Sequence, residues 1–160
     1  IKPRFLKGIE WLDRCDTLIH FMFEHLCLYM EQESHNVQWF TDDKVYNENL
    51  AKIGTDEEWQ VSSKEIMDDE RSAKKEMDFL YVWWTEARPV YYGASPFTDA
   101  FFKKHPTYDP YKELGKCKIS KTRKQYLEAS KKDMAYDEWC LNTDKEMMKR
   151  LVDIKEYLWS

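Results

Sequence analysis

Three neighbouring carboxylates are the residues in this sequence best suited to chemistry. Glu65, Asp68 and Asp69 follow one another closely, and positions three or four apart lie on the same face of a helix. Mg²⁺ prefers carboxylate oxygens and carries nucleoside triphosphates, so the group could support metal-assisted hydrolysis. Acids on an exposed helix face are more often simply solvated charge, and we favour that interpretation.

The Glu65-Ile-Met-Asp68 motif resembles one of the metal-binding motifs of all-α nucleotide pyrophosphohydrolases of the MazG kind. In that family E-x-x-D on one helix and E-E-x-x-E on its partner converge on magnesium. The segment Glu57-Glu58-Trp-Gln-Val61 lacks the third glutamate and lies too near in the chain to be the partner helix. We therefore expect a protein without catalysis or cofactor, and the resemblance leaves a magnesium-dependent nucleotide hydrolase as the alternative.

Other catalytic patterns are missing from the sequence. It contains no G-x-S-x-G motif, no glycine-rich phosphate loop and no Glu-x-x-His motif of the di-iron bundles. The four cysteines form no C-x-x-C pair, which argues against a zinc site. We expect reduced thiols packed as small apolar groups in a cytosolic protein.

A segment rich in aromatic residues follows the carboxylates, and we predict that it contacts a protein partner. Successive residues on an α-helix point about 100° apart, so Trp83 and Trp84 should not both face one core seam. One of them should lie at a helix junction or surface groove. Packing of Trp83 beneath Pro96 and Phe97 as a minor core is the favoured interpretation of this segment, and a partner-binding groove is the alternative. The predicted partner-binding residues are Trp83, Trp84, Tyr91, Tyr92, Phe97 and Phe101.

Charge is unevenly distributed along the chain. The formal net charge is −5, yet residues 103–132 contain 10 basic and three acidic residues, whereas residues 31–80 contain 14 acidic and six basic ones. Basic side chains interleaved with tyrosines could bind single-stranded nucleic acid without sequence preference. The favoured interpretation is a solvated basic face that complements the acidic segment of the same chain or of a neighbouring molecule in charge. Possible nucleic-acid contacts are Lys116, Lys118, Lys121, Arg123 and Lys124.

The elements that must position these residues are helices, because the apolar residues recur with helical spacing throughout. The pattern predicts one long helix from Pro3 to Met30 and then a loop with at most one helical turn over residues 34–54. A second helix should start at a capping box opened by Thr55 or Ser62 and should end before Pro89.

The second half should begin with an ordered crossover and continue with two helices. Ser95-Pro96 and Asp109-Pro110 fit the starts of short helices within the crossover. Ser120 should cap a basic helix, and a capping box at Thr143 should open a final one. Residues 1–160 are thus predicted to form a single all-α domain, a bundle of about four main helices.

Two blocks resemble small uncharacterised helical proteins encoded by tailed bacteriophages. They are Tyr81-Val-Trp-Trp-Thr-Glu-Ala-Arg-Pro89 and Met148-Lys-Arg-Leu-Val-Asp-Ile-Lys-Glu-Tyr-Leu-Trp159. The resemblance implies no catalytic residue and places the protein in the cytoplasm of an infected bacterium or in a virion. We expect it to bind a host or phage protein, with nucleic acid as a second possible partner and homo-oligomers possible. No stretch is apolar enough to cross a membrane, and the start at Ile1 suggests that part of the N-terminus is missing.

Overall fold

The prediction of an all-α fold is confirmed by a computed structural model. It describes residues 14–36, 41–53, 57–113 and 119–158, is 87% helical and contains no strand in these ranges. The α-helices are α1 (Arg14–Gln32), α2 (Asp43–Lys52), α3 (Glu57–Val82), α4 (Arg88–Tyr91), α5 (Pro96–Lys104) and α6 (Lys121–Asp153). A π-helical segment, Trp83–Ala87, joins α3 to α4, and 3-10 turns lie at Ser34–Asn36, Pro110–Glu113 and Lys155–Tyr157.

The chain divides into two compact units. Unit 1 comprises residues 1–87 and 146–160, and unit 2 comprises residues 88–145. Helices α1, α2 and α3 therefore belong to unit 1, and α4 and α5 belong to unit 2. Helix α6 contributes its first 25 positions, up to Lys145, to unit 2 and its last turns to unit 1.

The core of unit 1 lies where α1 packs against α3. Ile19, Phe23 and Leu26 are buried on α1, at the spacing of three and four residues that defines one helix face. Met77 and Leu80 of α3 are completely buried. Leu18 and Phe21 widen the apolar stripe of this helix beyond the buried face, and their side chains are each about half exposed.

Helix α2 was not predicted and corrects the expected long loop. Asp42 caps its N-terminus by accepting hydrogen bonds from the amides of Lys44 and Val45. Only Tyr46 of this helix is buried, so the sequence shows too few apolar residues to display a helical period. The hydroxyl of Tyr46 donates to Asp68 of α3 at 2.7 Å, and this contact across the two helices helps to hold α2 in place.

The predicted helix end at Pro89 is also wrong, because helical backbone continues to Tyr91. The π-helical segment immediately before the proline has hydrogen bonds that skip one residue more than those of an α-helix, and such segments accommodate local irregularity within a helix. The helix stops at Gly93, whose φ of 76° is a left-handed conformation that glycine adopts without strain. Ser62, the second predicted start, lies inside α3.

The predicted starts in unit 2 are confirmed at three places and wrong at one. Helix α5 begins at Pro96, a 3-10 turn begins at Pro110, and the side chain of Ser120 accepts from the amide of Arg123 at the start of α6. Thr143 instead lies within α6, where its hydroxyl donates to the carbonyl of Trp139 at 2.9 Å. A threonine inside a helix can donate its hydroxyl to the carbonyl four residues earlier, so the capping-box pattern at Thr143 does not require a helix to start there.

Candidate functional site

Trp83 and Trp84 both pack on α1 within unit 1. Trp83 is buried, with its ring centroid 5.2 Å from that of Phe23, and Trp84 stacks on the same phenyl ring at 4.6 Å. The edge of His20 also meets Trp84. The two tryptophans, which lie in the π-helical segment, therefore contact the same phenyl ring of α1, and the expectation that they do not share one seam is wrong.

The other four predicted partner-binding residues belong to unit 2, and they differ in exposure. Phe101 is a core residue whose ring contacts those of Phe102, His105, Tyr108 and Tyr126. Its burial means that it supports the surface and does not form it.

Tyr91, Tyr92 and Phe97 are more accessible than Phe101. Tyr91 is half-buried and its ring lies 5.0 Å from that of Trp139. Tyr92 and Phe97 are 36% and 40% exposed, so these two rings can be offered to a partner.

A buried ion pair fixes the two ends of unit 2 to each other. Arg88 of α4 donates from Nε and Nη2 to the two carboxylate oxygens of Asp144 in α6, at 3.0 and 2.8 Å. The side chains are 7% and 9% exposed, and the guanidinium also lies 3.7 Å from the centroid of the Tyr92 ring. This bidentate geometry gives two charge-assisted hydrogen bonds away from solvent, and the same guanidinium contacts the Tyr92 ring.

The N-terminus of α5 is capped by a residue of α6. Ser95 precedes the helix but makes no side-chain cap, and the buried carboxylate of Asp133 accepts from the amides of Phe97 and Thr98 at 3.0 and 2.8 Å. Burial alone would raise the pKa of Asp133, but hydrogen bonds from the Thr98 hydroxyl and the two amides stabilise the carboxylate and lower that pKa. These hydrogen bonds fix the backbone of Phe97, whose side chain is 40% exposed.

Sequence reasoning missed several exposed apolar residues of unit 2. Trp139 is 50% exposed, and its ring lies near those of Tyr91 and Tyr136. Val90, Met134 and Leu141 are 81%, 68% and 50% exposed. The exposure of Trp139 is indicated by its position in a charged stretch of the chain. It also directly precedes Cys140, and because Cys140 is buried, the adjacent position lies off the buried face of the helix.

The three carboxylates that could bind magnesium all lie exposed on α3. Asp68 accepts the hydrogen bond from Tyr46, which raises the pKa of that phenol. Among the residues that the structure describes, no three of the types Asp, Glu, His and Cys come together to hold a metal ion. Glu65, Asp68 and Asp69 are thus neighbours on one helix that form no three-ligand group in those ranges.

Three of the five predicted nucleic-acid contacts lie at the start of α6. Lys121 and Lys124 are exposed in its first turn, and Arg123 is half-buried. Lys116 and Lys118 lie outside the described residues. The thiols of Cys27 and Cys140 are buried, as expected for cysteines packed as apolar groups.

Comparisons of the chain with protein-family models, with curated proteins and with solved structures found no match. Within the described ranges, no helix has the length and apolar character needed to cross a bilayer. Among the residues that the structure describes, the site consists of exposed aromatic rings on a helical support rather than a cluster of metal-ligating groups.

Proposed function

We propose that this protein acts by binding another protein, through the exposed apolar residues of unit 2. The observation that carries the proposal is the exposure of Tyr92, Phe97 and Trp139 on a support fixed by buried polar contacts. Aromatic side chains dominate the binding energy of protein interfaces, since they bury a large area at a small cost in side-chain entropy. A rigid support lowers that cost further.

Catalysis is the weaker alternative for this chain. In the described ranges Glu65 and Asp69 belong to no group of three side chains that could hold a metal ion, and Asp68 is bonded to Tyr46. An assay of the purified protein for Mg²⁺-dependent release of pyrophosphate from nucleoside triphosphates tests this alternative directly. Robust release that Asp68→Asn abolishes would replace the binding proposal with the hydrolase.

The two sequence blocks that resemble phage proteins support a proposal about where the protein acts. We infer that the partner is a host or phage protein, met in the cytoplasm of an infected bacterium or in the virion. The aromatic block of the resemblance, residues 81–89, contains Arg88, whose ion pair supports Tyr92. This arrangement supports a role for that block in shaping the contact surface.

Capture of the partner from nuclease-treated lysate, followed by mass spectrometry, tests the proposal. Trp139→Ala should reduce capture by more than tenfold if Trp139 is an interface anchor. Trp59→Ala is the matched control because Trp59 is also exposed, at 70%, but lies on α3 in unit 1. Circular dichroism of both variants checks that the helices persist.

Two results would contradict the proposal. One is recovery of the protein alone, or only with itself, from lysates that contain the phage and host proteins. The other is equal loss of capture in both tryptophan variants, because contacts that depend on any exposed tryptophan are not specific to unit 2. Capture that nuclease treatment abolishes would instead favour nucleic acid.

A further inference from the structure

We propose that the surface of unit 2 receives an acidic amphipathic helix of the partner in a groove between α5 and α6. This inference rests on the proposed function and specifies the chemistry of the partner. The groove consists of two adjoining hollows within unit 2 that share Phe97 and Lys132. The first has a volume of about 260 Å³, and the second extends it towards Ala135 and Tyr136.

The residues that line the groove follow the helical spacing of α5 and α6. Phe97, Ala100 and Lys104 lie on one face of α5, and Gln125, Ala129 and Lys132 lie on one face of α6. From Gln125 to Tyr136 the rise is about 16 Å at 1.5 Å per residue, which equals about three turns of a bound helix. The small side chains at 100 and 129 leave room for another helix to approach closely.

The floor of the groove provides an apolar anchor point. The ring of Phe97 is 40% exposed at the junction of the two hollows, and its amide is bonded to Asp133, which fixes its backbone. The ammonium group of Lys132 lies 5.7 Å from the centroid of that ring. An apolar side chain of the partner can therefore pack on Phe97 while a neighbouring carboxylate meets Lys132.

The rim of the groove determines the charge of the occupant. Lys104 on α5 and Lys132 on α6 line it, and both are exposed. Glu128 also lines the groove, and its carboxylate would repel a phosphate or a carboxylate placed opposite it. A continuous run of phosphates must place a charge there, whereas a helix with spaced carboxylates need not. The combination of an apolar floor and separated lysines favours a helix with spaced carboxylates over a nucleic-acid strand.

A fluorescent synthetic peptide of about 11 residues is a suitable probe, because about three turns fill the groove. Leucines at positions i, i+4 and i+7 should meet the floor, and glutamates should flank them. Controls are a peptide of the same composition with the leucine stripe broken, and an oligothymidylate. Binding to the full chain is measured by fluorescence anisotropy at low and at high salt.

We expect Phe97→Ala to weaken peptide binding by about tenfold or more. Leu127→Ala is its control, because Leu127 is also 40% exposed but does not line the groove. Lys132→Gln should weaken binding about threefold to tenfold and reduce its salt dependence, whereas Lys131→Gln should change it by less than about twofold. Ala100→Glu places a repelling charge at an exposed floor position and should abolish binding without requiring Phe97 to change.

Several outcomes would overturn the inference. With the unmodified protein, these are the failure of the striped peptide to bind at about 100 µM, equal affinity for the striped and the broken-stripe peptide, and displacement of the peptide by oligothymidylate. With the variants, the contradicting outcome is an equal loss of affinity in Lys131→Gln and Lys132→Gln. Sedimentation that shows a dimer sensitive to Ala100→Glu would assign the groove to a second copy instead. Partner capture that depends on Trp139 but not on Ala100→Glu would refute the groove and leave the proposed function standing.

Discussion

Replacing Arg88 with methionine should destabilise unit 2 by about 3–5 kcal/mol, because it leaves the buried carboxylate of Asp144 without a partner. The structure supports this magnitude in two ways. The change removes two hydrogen bonds to a charged group, each worth about 1.5–3 kcal/mol. It also removes the guanidinium that lies over the Tyr92 ring.

The free energy of unfolding is best measured by urea denaturation followed by circular dichroism, with hydrogen exchange of residues 88–145 to localise the effect. Lys112→Met is the control, because the ion pair of Lys112 with Asp109 is solvent-exposed and also lies in unit 2. We expect this control to change stability by no more than about 0.5 kcal/mol. The double variant Arg88→Met with Asp144→Leu completes the cycle and should recover most of the lost stability, since no unpaired charge remains.

Two results would refute this reasoning. The first is a cost below about 1 kcal/mol for Arg88→Met, which would show that Asp144 finds water or another donor. The second is a double variant whose loss equals the sum of the two single losses, which would mean that the two side chains are not coupled.

Three further predictions concern stability. Asp133→Ala should cost about 1–2 kcal/mol at neutral pH. The pKa of Asp133 is lower in the native state than its ordinary value of 3.8. The carboxylate therefore contributes fully to stability above pH 3.8, and this contribution is lost as the pH falls through the native-state pKa. The urea midpoints of the unmodified protein and of Asp133→Ala should converge in acid. Ser120→Ala should cost about 1 kcal/mol as a lost cap, whereas Thr143→Ala should cost less than about 0.5 kcal/mol, and equal losses would contradict the single helix α6. Trp83→Ala should lower the thermal midpoint in proportion to a loss of about 3–5 kcal/mol, and a larger loss from the half-exposed Trp139→Ala would contradict the burial of Trp83.

Predictions based on interactions between neighbours in the chain succeeded. Helical spacing of apolar residues identified the all-α class, and Ser95-Pro96 and Ser120 marked real helix starts. A proline at the first helical position and a hydroxyl that reaches an amide three residues on depend only on local backbone geometry. Such features can be read from a few consecutive residues.

The same local reasoning failed where a distant residue decides the outcome. The sequence around Thr143 has the signature of a cap, yet α6 continues through it and uses the neighbouring Asp144 to bind Arg88, 56 positions away. Helix α2 shows almost no apolar period, and Tyr46 meets α3 through Asp68, 22 positions on.

The candidate site shows this division most clearly. The sequence by itself determined that aromatic residues concentrate around residues 79–102 and that a basic segment follows. Only the tertiary structure decided which rings are buried, because Trp83 packs on Phe23, 60 positions earlier, and Phe97 stays exposed while Asp133 holds its backbone. Burial depends on which helix faces which, and that pairing is decided by the summed packing of the whole core rather than by any one segment.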